Sequence, residues 1–507
     1  MELSEYFIGV DSGTQSTKAV VVEGETGRVV GKVSRGYDLI DGLPQGHKEQ
    51  HPQIWYEALV ETVTEAIKTS RIDPQMVRAI GVSGQQHGFV PLNSGGSVVR
   101  PAKLWNDTST LEECRILIES LGGEDSVVDL IGNTITPGFT ASKILWLKRK
   151  EPRNYERLHT VLLPHDYINY CLTGKPSMEY GDASGTAIMD VRRRMWSEEV
   201  IEAIDPELMD KLPPLHPSDE PAGYLREEVA SLLGVREGLV VSAGGGDNMM
   251  GAIGTGNTKP GIVTVSLGTS GTMYAYSEKP VVDPVGEIAA FCDSTNGWLP
   301  LVCTMNVTVS TELTRTLFDY SYDDLEEAVE SAPPGSDGLI LLPYLNGERT
   351  PNVPEGTGVY FGLNERTFKA EYLARSAMEG VTMGLNYGFN KMKGLGIDPV
   401  EIRLTGGGAK NSAWRRIAAD IFGVEVVTLK VEEGAAYGAA LQAMWTYMKE
   451  NGEEVSISDI TDRHVEVDET SRIEPRKENV DIYRKLQGIQ DELSLDLRRA
   501  FKAYKAL

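Results

Sequence analysis

An aspartate stands directly after three glycines near the middle of the chain. Asp247 follows Gly244–Gly246, and the β-rich run Leu239–Ala243 precedes them. Because glycines add no side-chain bulk, this carboxylate can reach into a cleft and take a proton from a hydroxyl group. An aspartate with an ordinary pKa of about 3.9 suffices in phosphoryl transfer, since loss of the proton can be late. The alternative interpretation is a turn aspartate bonded to nearby N–H groups.

A hairpin turn near the start of the chain carries groups that suit a phosphate. The segment Asp11–Lys18 (DSGTQSTK) joins two β-rich runs. Gly13 lets a ligand approach the backbone closely, and the hydroxyl groups of Thr14 and Ser16 can donate to phosphate oxygens. An ordinary hairpin is the alternative for one such turn.

The same turn pattern recurs in the second half of the chain. Lys18 would add positive charge to a phosphate site, whereas Asp11 would act through Mg²⁺ or its water shell. The pattern of the first turn is echoed by Ser266–Gly271 (SLGTSG), again between two β-rich runs. This recurrence favours phosphate binding at both turns and indicates an internal duplication.

A further glycine-rich segment separates a predicted strand from a predicted helix. The strand Glu401–Leu404 leads into Thr405–Asn411 (TGGGAKN), and the following helix has an apolar face that includes Trp414. Main-chain N–H groups and the helix dipole can bind a nucleotide or a phosphate at such a junction. The pattern matches neither the P-loop nor the Rossmann fingerprint. Helix capping is the alternative role of Asn411.

Two polar and aromatic segments follow strand-like runs in the first half. They are Gly84–Gly88 (GQQHG) and Lys103–Asp107 (KLWND). Amide, imidazole, indole and carboxylate groups suit a polyhydroxylated small molecule, whose C–H face can lie on an aromatic ring. A structural loop histidine is the alternative for His87.

Charge and composition exclude several classes of function. The 507 residues include 49 Lys and Arg against 74 Asp and Glu, a formal charge of −25. Such a charge repels nucleic acid and anionic lipid, so we expect neither as a partner. The four cysteines form no C-x-x-C pair and no apolar run reaches 18 residues, which predicts a cytoplasmic protein without disulfides or a zinc site.

The predicted elements place these residues in an α/β protein. The order at the start is β-β-β-α-β, with Val29–Tyr37 as the third strand and Val77–Ser83 as the fourth. Thr160–Leu163 is predicted as a further strand of a mixed sheet, and Val480–Leu507 as one amphipathic closing helix. The pattern restarts after the glycine-dense stretch 244–256, so we predict two domains, residues 1–253 and 254–507.

Taken in order, these segments resemble the FGGY family of carbohydrate kinases, within the actin, Hsp70 and hexokinase superfamily. The resemblance covers nearly the whole chain. The segments that carry it are GVDSGTQSTK, EQHPQIWY, GVSGQQHG, LWND, TPGFTASKILW, LLPHDYI, GGGDN, SLGTSG, LLPYLNGERTP, GVYFGL and LTGGGAKNSAWRRIAADIFG.

The resemblance implies a fold and an activity. It implies two ribonuclease-H-like domains (of the actin/Hsp70/hexokinase type) around a central cleft, the first mainly for sugar and the second mainly for nucleotide. The implied activity is phosphorylation of a ketopentose, D-xylulose at its 5-hydroxyl group, with ATP and Mg²⁺. Alternatives are another sugar or polyol (ribulose, sedoheptulose, gluconate or glycerol), a nucleotide switch of the actin/Hsp70 type, and a silent sugar sensor. The oligomeric state stays open, with a homodimer as one option.

The resemblance also implies roles for individual residues. Asp247 matches the catalytic base, and Asp11 with Asp247 would hold the metal. The nucleotide would contact Gly13, Thr14, Gln15, Ser16, Lys18, Gly268, Thr269, Ser270, Gly406, Gly407, Gly408 and Asn411. With the polar set described above, the predicted sugar contacts are Gln86, His87, Trp105, Asn106, Asp107, Phe139, Asp247 and Asn248. Gln86 stands where Met is common in bacterial members, which leaves the choice of sugar open.

Overall fold

A computed structural model describes residues 4–507 of the chain. The strands of the first half are β1 (Tyr6–Ser12), β2 (Ser16–Glu23), β3 (Val29–Gly36), β4 (Glu49–Gln50), β5 (Val77–Gly84), β6 (Val90–Leu92), β7 (Ala102–Lys103), β8 (Thr160–Leu162), β9 (Met178–Glu179), β10 (Met189–Asp190), β11 (Met195–Trp196), β12 (Leu215–His216), β13 (Pro221–Tyr224), β14 (Val240–Ser242) and β15 (Gly245–Gly246). Those of the second half are β16 (Ile262–Leu267), β17 (Gly271–Ala275), β18 (Ala289–Cys292), β19 (Trp298–Thr304), β20 (Ile340–Pro343), β21 (Gly358–Phe361), β22 (Glu401–Thr405), β23 (Glu425–Leu429) and β24 (Val467–Ile473).

The helices are distributed over both halves. The first half contains α1 (Gln53–Ser70), α2 (Leu111–Ser120), α3 (Glu124–Ile131), α4 (Thr140–Lys150), α5 (Pro152–Tyr155), α6 (Pro164–Thr173), α7 (Tyr180–Ala183), α8 (Glu198–Ile204), α9 (Glu227–Leu233) and α10 (Asp247–Gly254). The second half contains α11 (Thr308–Leu317), α12 (Tyr322–Ser331), α13 (Ala370–Gly394), α14 (Ser412–Phe422), α15 (Gly434–Glu450), α16 (Ile457–His464), α17 (Lys477–Asp496) and α18 (Arg498–Lys505).

The first main sheet is built from strands of the first half. Its order is β13-β14-β5-β1-β2-β3, and β15 also pairs with β5. Strands β1 to β3 form an antiparallel meander, and β5 runs parallel to β1. Helix α1 packs against β2 and β3 through a buried stripe at helical spacing, which includes Trp55, Leu59 and Val63. The predicted β-β-β-α-β order is confirmed.

The second main sheet repeats this arrangement. Its order is β18-β19-β17-β16-β22-β23-β24. As in the first sheet, an antiparallel hairpin (β16 and β17) is extended by a third antiparallel strand on one side. On the other side come two parallel strands and then an antiparallel one. The strand order therefore confirms the internal duplication.

Two predictions about elements outside the main sheets were wrong. The predicted strand forms at residues 160–162, but it pairs with β6 in a small separate sheet and does not join the main sheet. The tail forms two helices, α17 and α18, where one was predicted. The two helices meet at Leu497, so the single predicted helix is broken at this residue although the amphipathic pattern continues across it.

Helix α15 comes from the second half of the chain but packs on the first sheet. It lies against β1 and β5. A Cβ atom at Gly9 would overlap the carbonyl oxygen of Ala436, and one at Gly81 would overlap that of Ala439. Helix α15 also crosses α10 so closely that Gly438 has no room for a side chain. These glycines therefore let a helix of the second half pack closely on the first sheet.

The predicted boundary between residues 253 and 254 falls at the end of helix α10. Because residues 434–450 pack against strands of the first half, the chain does not divide into two sheets at a single point of the sequence. The division into residues 1–253 and 254–507 stays a prediction. Among the residues that the structure describes, every helix is too short or too polar to cross a bilayer.

Candidate active site

A cavity of about 760 Å³ lies between the two main sheets and is lined by residues from both. Four of the predicted segments reach it: the two hairpin turns, the segment after the glycine run and the later glycine loop. The predicted residues in its lining are Asp11, Lys18, Asp247, Asn248, Gly406 and Gly407. The structure therefore brings the predicted phosphate, base and nucleotide segments to one place.

Asp247 is the first residue of helix α10 and faces this cavity. Its Oδ1 atom accepts hydrogen bonds from the main-chain and side-chain N–H groups of Asn248, at 2.8 and 3.0 Å. Burial, and after it the negative charges of Asp11 and Asp182, raise the pKa of Asp247 to about 7. The sequence argument needed only an ordinary aspartate, whereas the site makes this one a better proton acceptor near neutral pH.

The glycines before Asp247 allow the chain to run close to strand β5. Gly245 and Gly246 pair with Ser83 and Gly84 as the short strand β15. A Cβ atom at Gly246 would lie 2.6 Å from Cγ of Gln86, so a larger residue would displace that side chain. The glycine run thus sets Asp247 beside the predicted sugar-contacting segment.

Asp11 is held at the base of the first hairpin. It pairs across the hairpin with Lys18, and Oδ1 accepts a hydrogen bond from the hydroxyl of Ser83 at 2.8 Å. Burial raises the pKa of Asp11, and the contacts with Ser83 and Lys18 offset part of that shift. The turn itself is closed by a bond from the N–H of Gly13 to the carbonyl of Ser16, at 2.9 Å. Gln15 at its tip is exposed.

The second hairpin presents hydroxyl groups where the first presents charges. Ser266 pairs with Thr272, and both line the cavity. The carbonyls of Gly268 and Thr269 accept hydrogen bonds from residues 308 and 307, at 2.9 and 3.1 Å, so helix α11 begins against this turn. Ser270 is partly exposed, and Thr269 is exposed.

The glycine loop after strand β22 packs against the end of β16. Gly406 has φ of +82°, and a Cβ atom there would lie 2.7 Å from the carbonyl oxygen of Leu267. Gly408 is buried against Trp414. The Oδ1 atom of Asn411 accepts the N–H of Trp414 at 2.8 Å, so this side chain caps helix α14. Its contact with adenosine stays a prediction.

The first hairpin is bonded directly to the predicted sugar segments. The Thr14 hydroxyl accepts the indole N–H of Trp105 at 2.9 Å and donates to Oε1 of Gln85 at 3.0 Å. The sequence predicted this hydroxyl as a phosphate donor, but its hydrogen atom is used within the protein. Oδ1 of Asn106 is buried and has no hydrogen-bond partner among the described residues. A polar ligand could supply that partner.

The amide of Gln86 joins the predicted sugar segment to the base segment. Oε1 of Gln86 accepts the side-chain N–H of Asn248 at 2.8 Å, and Nε2 lies 3.1 Å from Sδ of Met249. Gln86 is buried. The residue that departs from the family pattern therefore touches the neighbour of Asp247.

His87 lies among aromatic rings from both halves of the chain. Its ring centroid is 4.7 Å from that of Phe139 and 5.5 Å from that of Phe291 on strand β18. Burial lowers the pKa of His87 well below its usual value, and the charges of Lys143 and Arg349 lower it further. The imidazole is therefore neutral and can both donate and accept a hydrogen bond.

Asp107 is placed differently from the other predicted sugar contacts. It is completely buried, and its carboxylate accepts bonds from Nζ of Lys103 at 3.1 Å and from the N–H of Lys48 at 2.9 Å. His47, Glu49 and Asp107 lie close enough to share a metal ion. Nζ of Lys103 lies 3.1 to 3.3 Å from all three residues, so an ammonium group occupies that position.

The sequence matches one known protein family over most of its length. The models of the FGGY family of carbohydrate kinases, N-terminal and C-terminal domains, match residues 6–254 and 263–447. The chain belongs to this FGGY family.

Individual relatives agree with the family assignment. A protein of Haemophilus influenzae named Xylulose kinase is 43% identical over 94% of this chain and 97% of its own length. Two structures from Lactobacillus acidophilus, one described as gluconate kinase and one as ligand-bound xylulose kinase, each align with a TM-score of 0.91 and 25% identity. Each alignment covers 99% of this chain and 100% of the other.

The family membership confirms the fold class and the class of enzyme. This FGGY protein is a carbohydrate kinase, an enzyme that transfers a phosphoryl group to a sugar hydroxyl. Sequence reasoning missed Ser83, although it directly precedes the GQQHG segment and could have been included with it. It also missed Phe291, for which an isolated β-rich run gave no signal.

Proposed function

We propose that the protein transfers the γ-phosphoryl group of ATP to the 5-hydroxyl group of D-xylulose, giving D-xylulose 5-phosphate and ADP. The position of Asp247 carries this proposal. Its carboxylate faces the cavity that Asp11 and Ser266 also line, and the adjacent Asn248 is bonded to Gln86. Asp247 therefore lies at the cavity that the phosphate-type hairpins reach and next to a residue that contacts the polar sugar segment.

In the proposed reaction Asp247 orients the sugar hydroxyl and accepts its proton. The hydroxyl oxygen bonds to the γ-phosphorus, and the bond from that phosphorus to the β–γ bridging oxygen breaks, so ADP leaves with the electron pair. The raised pKa of Asp247 suits a base that works near neutral pH. Gln86, His87, Trp105, Asn106 and Phe139 are the proposed sugar contacts.

The two turns and the glycine loop are the proposed nucleotide contacts. N–H and hydroxyl groups of the turns would donate to phosphate oxygens, and Lys18 would add a positive charge. Gly406 and Gly407 line the same cavity and would lie along the adenosine. These local donors and the lysine would offset the repulsion between an anionic nucleotide and a chain of formal charge −25.

Mg²⁺ fits the two acids that share the cavity. Asp11 and Asp247 are close enough for the charge of one to raise the pKa of the other, so a cation there relieves their repulsion. Carboxylate oxygens together with substrate phosphates are the ligands that Mg²⁺ prefers. We propose that these two residues hold the ion, which when bound would neutralise charge on the β- and γ-phosphate oxygens.

The choice of D-xylulose rests on sequence similarity more than on fold. The relative named Xylulose kinase is 43% identical, whereas the structures described as gluconate kinase and xylulose kinase match the fold equally well. Gluconate is therefore the second candidate substrate. We keep the cytoplasm as the proposed location because all four cysteines are free thiols.

A substrate panel with coupled detection of ADP tests the proposal. D-xylulose, D-ribulose, sedoheptulose, gluconate and glycerol would be compared at saturating ATP and Mg²⁺. We expect the highest kcat/KM with D-xylulose. A higher value with gluconate would replace the substrate, and ATP turnover that ignores every sugar would favour a nucleotide switch. Sugar binding without turnover would support a sensor.

A further inference from the structure

A buried lysine in the TPGFTASKILW segment has no role in the proposed reaction. Lys143 lies near the start of helix α4, and its side chain is fully buried. Its Nζ atom donates to the carbonyl oxygens of His87 at 2.7 Å and of Gly138 at 2.6 Å. Both of these partners are main-chain groups of loops, so the ammonium group joins two loops and is not part of a simple ion pair.

Burial of this amine is unfavourable. It lowers the pKa of Lys143 to about 7, mainly because a charged amine loses its hydration. An apolar side chain could fill the same space without that cost. We therefore attribute the presence of a buried amine at this position to its hydrogen bonds with the two loops.

The first of these loops holds His87 in an unusual conformation. His87 has φ of +62°, a region that residues other than glycine seldom adopt. Its carbonyl accepts from Nζ of Lys143 at 2.7 Å and from the hydroxyl of Thr140 at 3.2 Å. Both donors are buried residues of helix α4. They therefore hold the peptide unit that follows His87.

The second loop leads to Phe139, another aromatic residue among the proposed sugar contacts. Gly138 precedes Phe139, whose ring lies against the imidazole of His87. A Cβ atom at Gly138 would lie 2.7 Å from the carbonyl oxygen of Trp105, so this loop also packs closely on the KLWND segment. One ammonium group thus sits where the three segments with proposed sugar contacts meet.

We propose that Lys143 is a positioning residue of the sugar site. It holds His87 in its left-handed conformation and fixes the Phe139 loop against it, so that the ketose meets a preformed pocket. This inference rests on the proposed function. The residues that line the nucleotide cavity belong to other segments, so Lys143 acts on the sugar and not on ATP.

Steady-state kinetics of Lys143→Met in the full-length protein test this inference. We expect kcat/KM for D-xylulose to fall about 10- to 100-fold, the usual loss when a contact group moves by about 1 Å, mostly through KM. The KM for ATP should change less than about twofold. Lys148→Met is the matched control, because Lys148 lies on the same helix and donates to the carbonyl of Ile204, at 2.9 Å, outside the three sugar segments. We expect it to leave both KM values unchanged.

Two further variants keep the test decisive if Lys143→Met does not fold. Thr140→Val removes only the second donor to the His87 carbonyl and should raise the KM for D-xylulose about threefold. Lys143→Arg keeps the N–H donors and should retain more of the sugar affinity than the Met variant. Unchanged sugar kinetics in folded Lys143→Met or in Thr140→Val, or equal changes for sugar and ATP, would overturn the inference. Absence of ketose turnover in the wild-type protein would overturn the proposed function instead.

Discussion

The two hairpin turns at the cavity occupy equivalent places in the two sheets but differ in charge. In the first, Asp11 pairs across the hairpin with Lys18, and in the second Ser266 pairs with Thr272. All four residues line the cavity. The duplicated backbone thus offers N–H and hydroxyl donors from both sides, while formal charges at this cross-strand pair come from one side only.

This asymmetry has a physical reason. A carboxylate near a phosphate is repulsive unless a cation lies between them, so a single acidic hairpin is sufficient and a second would add repulsion. The turns also differ in what they join. Trp105 bonds the first hairpin to the sugar segments, whereas helix α11 begins against the second. If the proposed function holds, the first hairpin would couple the phosphate and sugar sites, and the second would serve the phosphate site alone.

Loss of Asp247, the proposed base at the cavity that both hairpins reach, should have the largest effect. We expect Asp247→Ala to lower kcat by at least about 10³-fold, because both proton transfer and orientation of the hydroxyl are lost. The KM for ATP should change little, since the hairpins remain. Coupled ADP detection would measure both values, with thermal unfolding as the check on folding. Near-normal turnover would remove Asp247 from the mechanism.

Asp11→Ser makes the first hairpin resemble the second. We expect kcat to fall about 10²-fold, the size of loss seen when one electrostatic group at a transfer site is removed. The concentration of Mg²⁺ needed for half-maximal rate should rise as well. Ser266→Ala serves as the control on the other hairpin and should cost less than about tenfold. Equal losses in the two variants would contradict the asymmetry.

The pH dependence of kcat/KM should reveal the electrostatic repulsion between Asp11 and Asp247. Burial, followed by the negative charges of Asp11 and Asp182, raises the pKa of Asp247 to about 7 without a metal. A base must be deprotonated, so activity should fall as pH drops through this pKa, about tenfold per pH unit below it. A bound cation favours the carboxylate, so more free Mg²⁺ should move this acid limb to lower pH. An acid limb that ignores Mg²⁺ would contradict a shared metal site.

Much of the site could be predicted from sequence because its signals are local. Glycine and hydroxyl residues in a short turn between two strands indicated both hairpins, and three glycines before Asp247 indicated a carboxylate that reaches into a cleft. The repeated turn also predicted the repeated sheet. In each case the relevant residues are neighbours in the chain, so their spacing alone is informative.

The remaining features depend on contacts between distant segments. Phe291 meets His87 only because strand β18 of the second sheet reaches the first-half loops. The hydroxyl of Thr14 was predicted to donate to phosphate, but it donates to Oε1 of Gln85. Asp107 was predicted to contact the sugar, but its carboxylate accepts a hydrogen bond from the buried Nζ of Lys103. Helix α15 crosses to the first sheet through glycines whose purpose no local pattern shows.

Lys18→Thr copies the second hairpin at the other member of the cross-strand pair and should have the smallest effect. A partly exposed charge contributes less than about 1 kcal/mol, so we expect the KM for ATP to rise about threefold with kcat nearly unchanged. Lys410→Thr is the control, because Lys410 also lines the cavity but lies 3.1 Å from Glu432, which offsets its charge. If Lys410→Thr raised the KM for ATP as much as Lys18→Thr, a general loss of positive charge would explain the result, and the hairpin pair would have no special role.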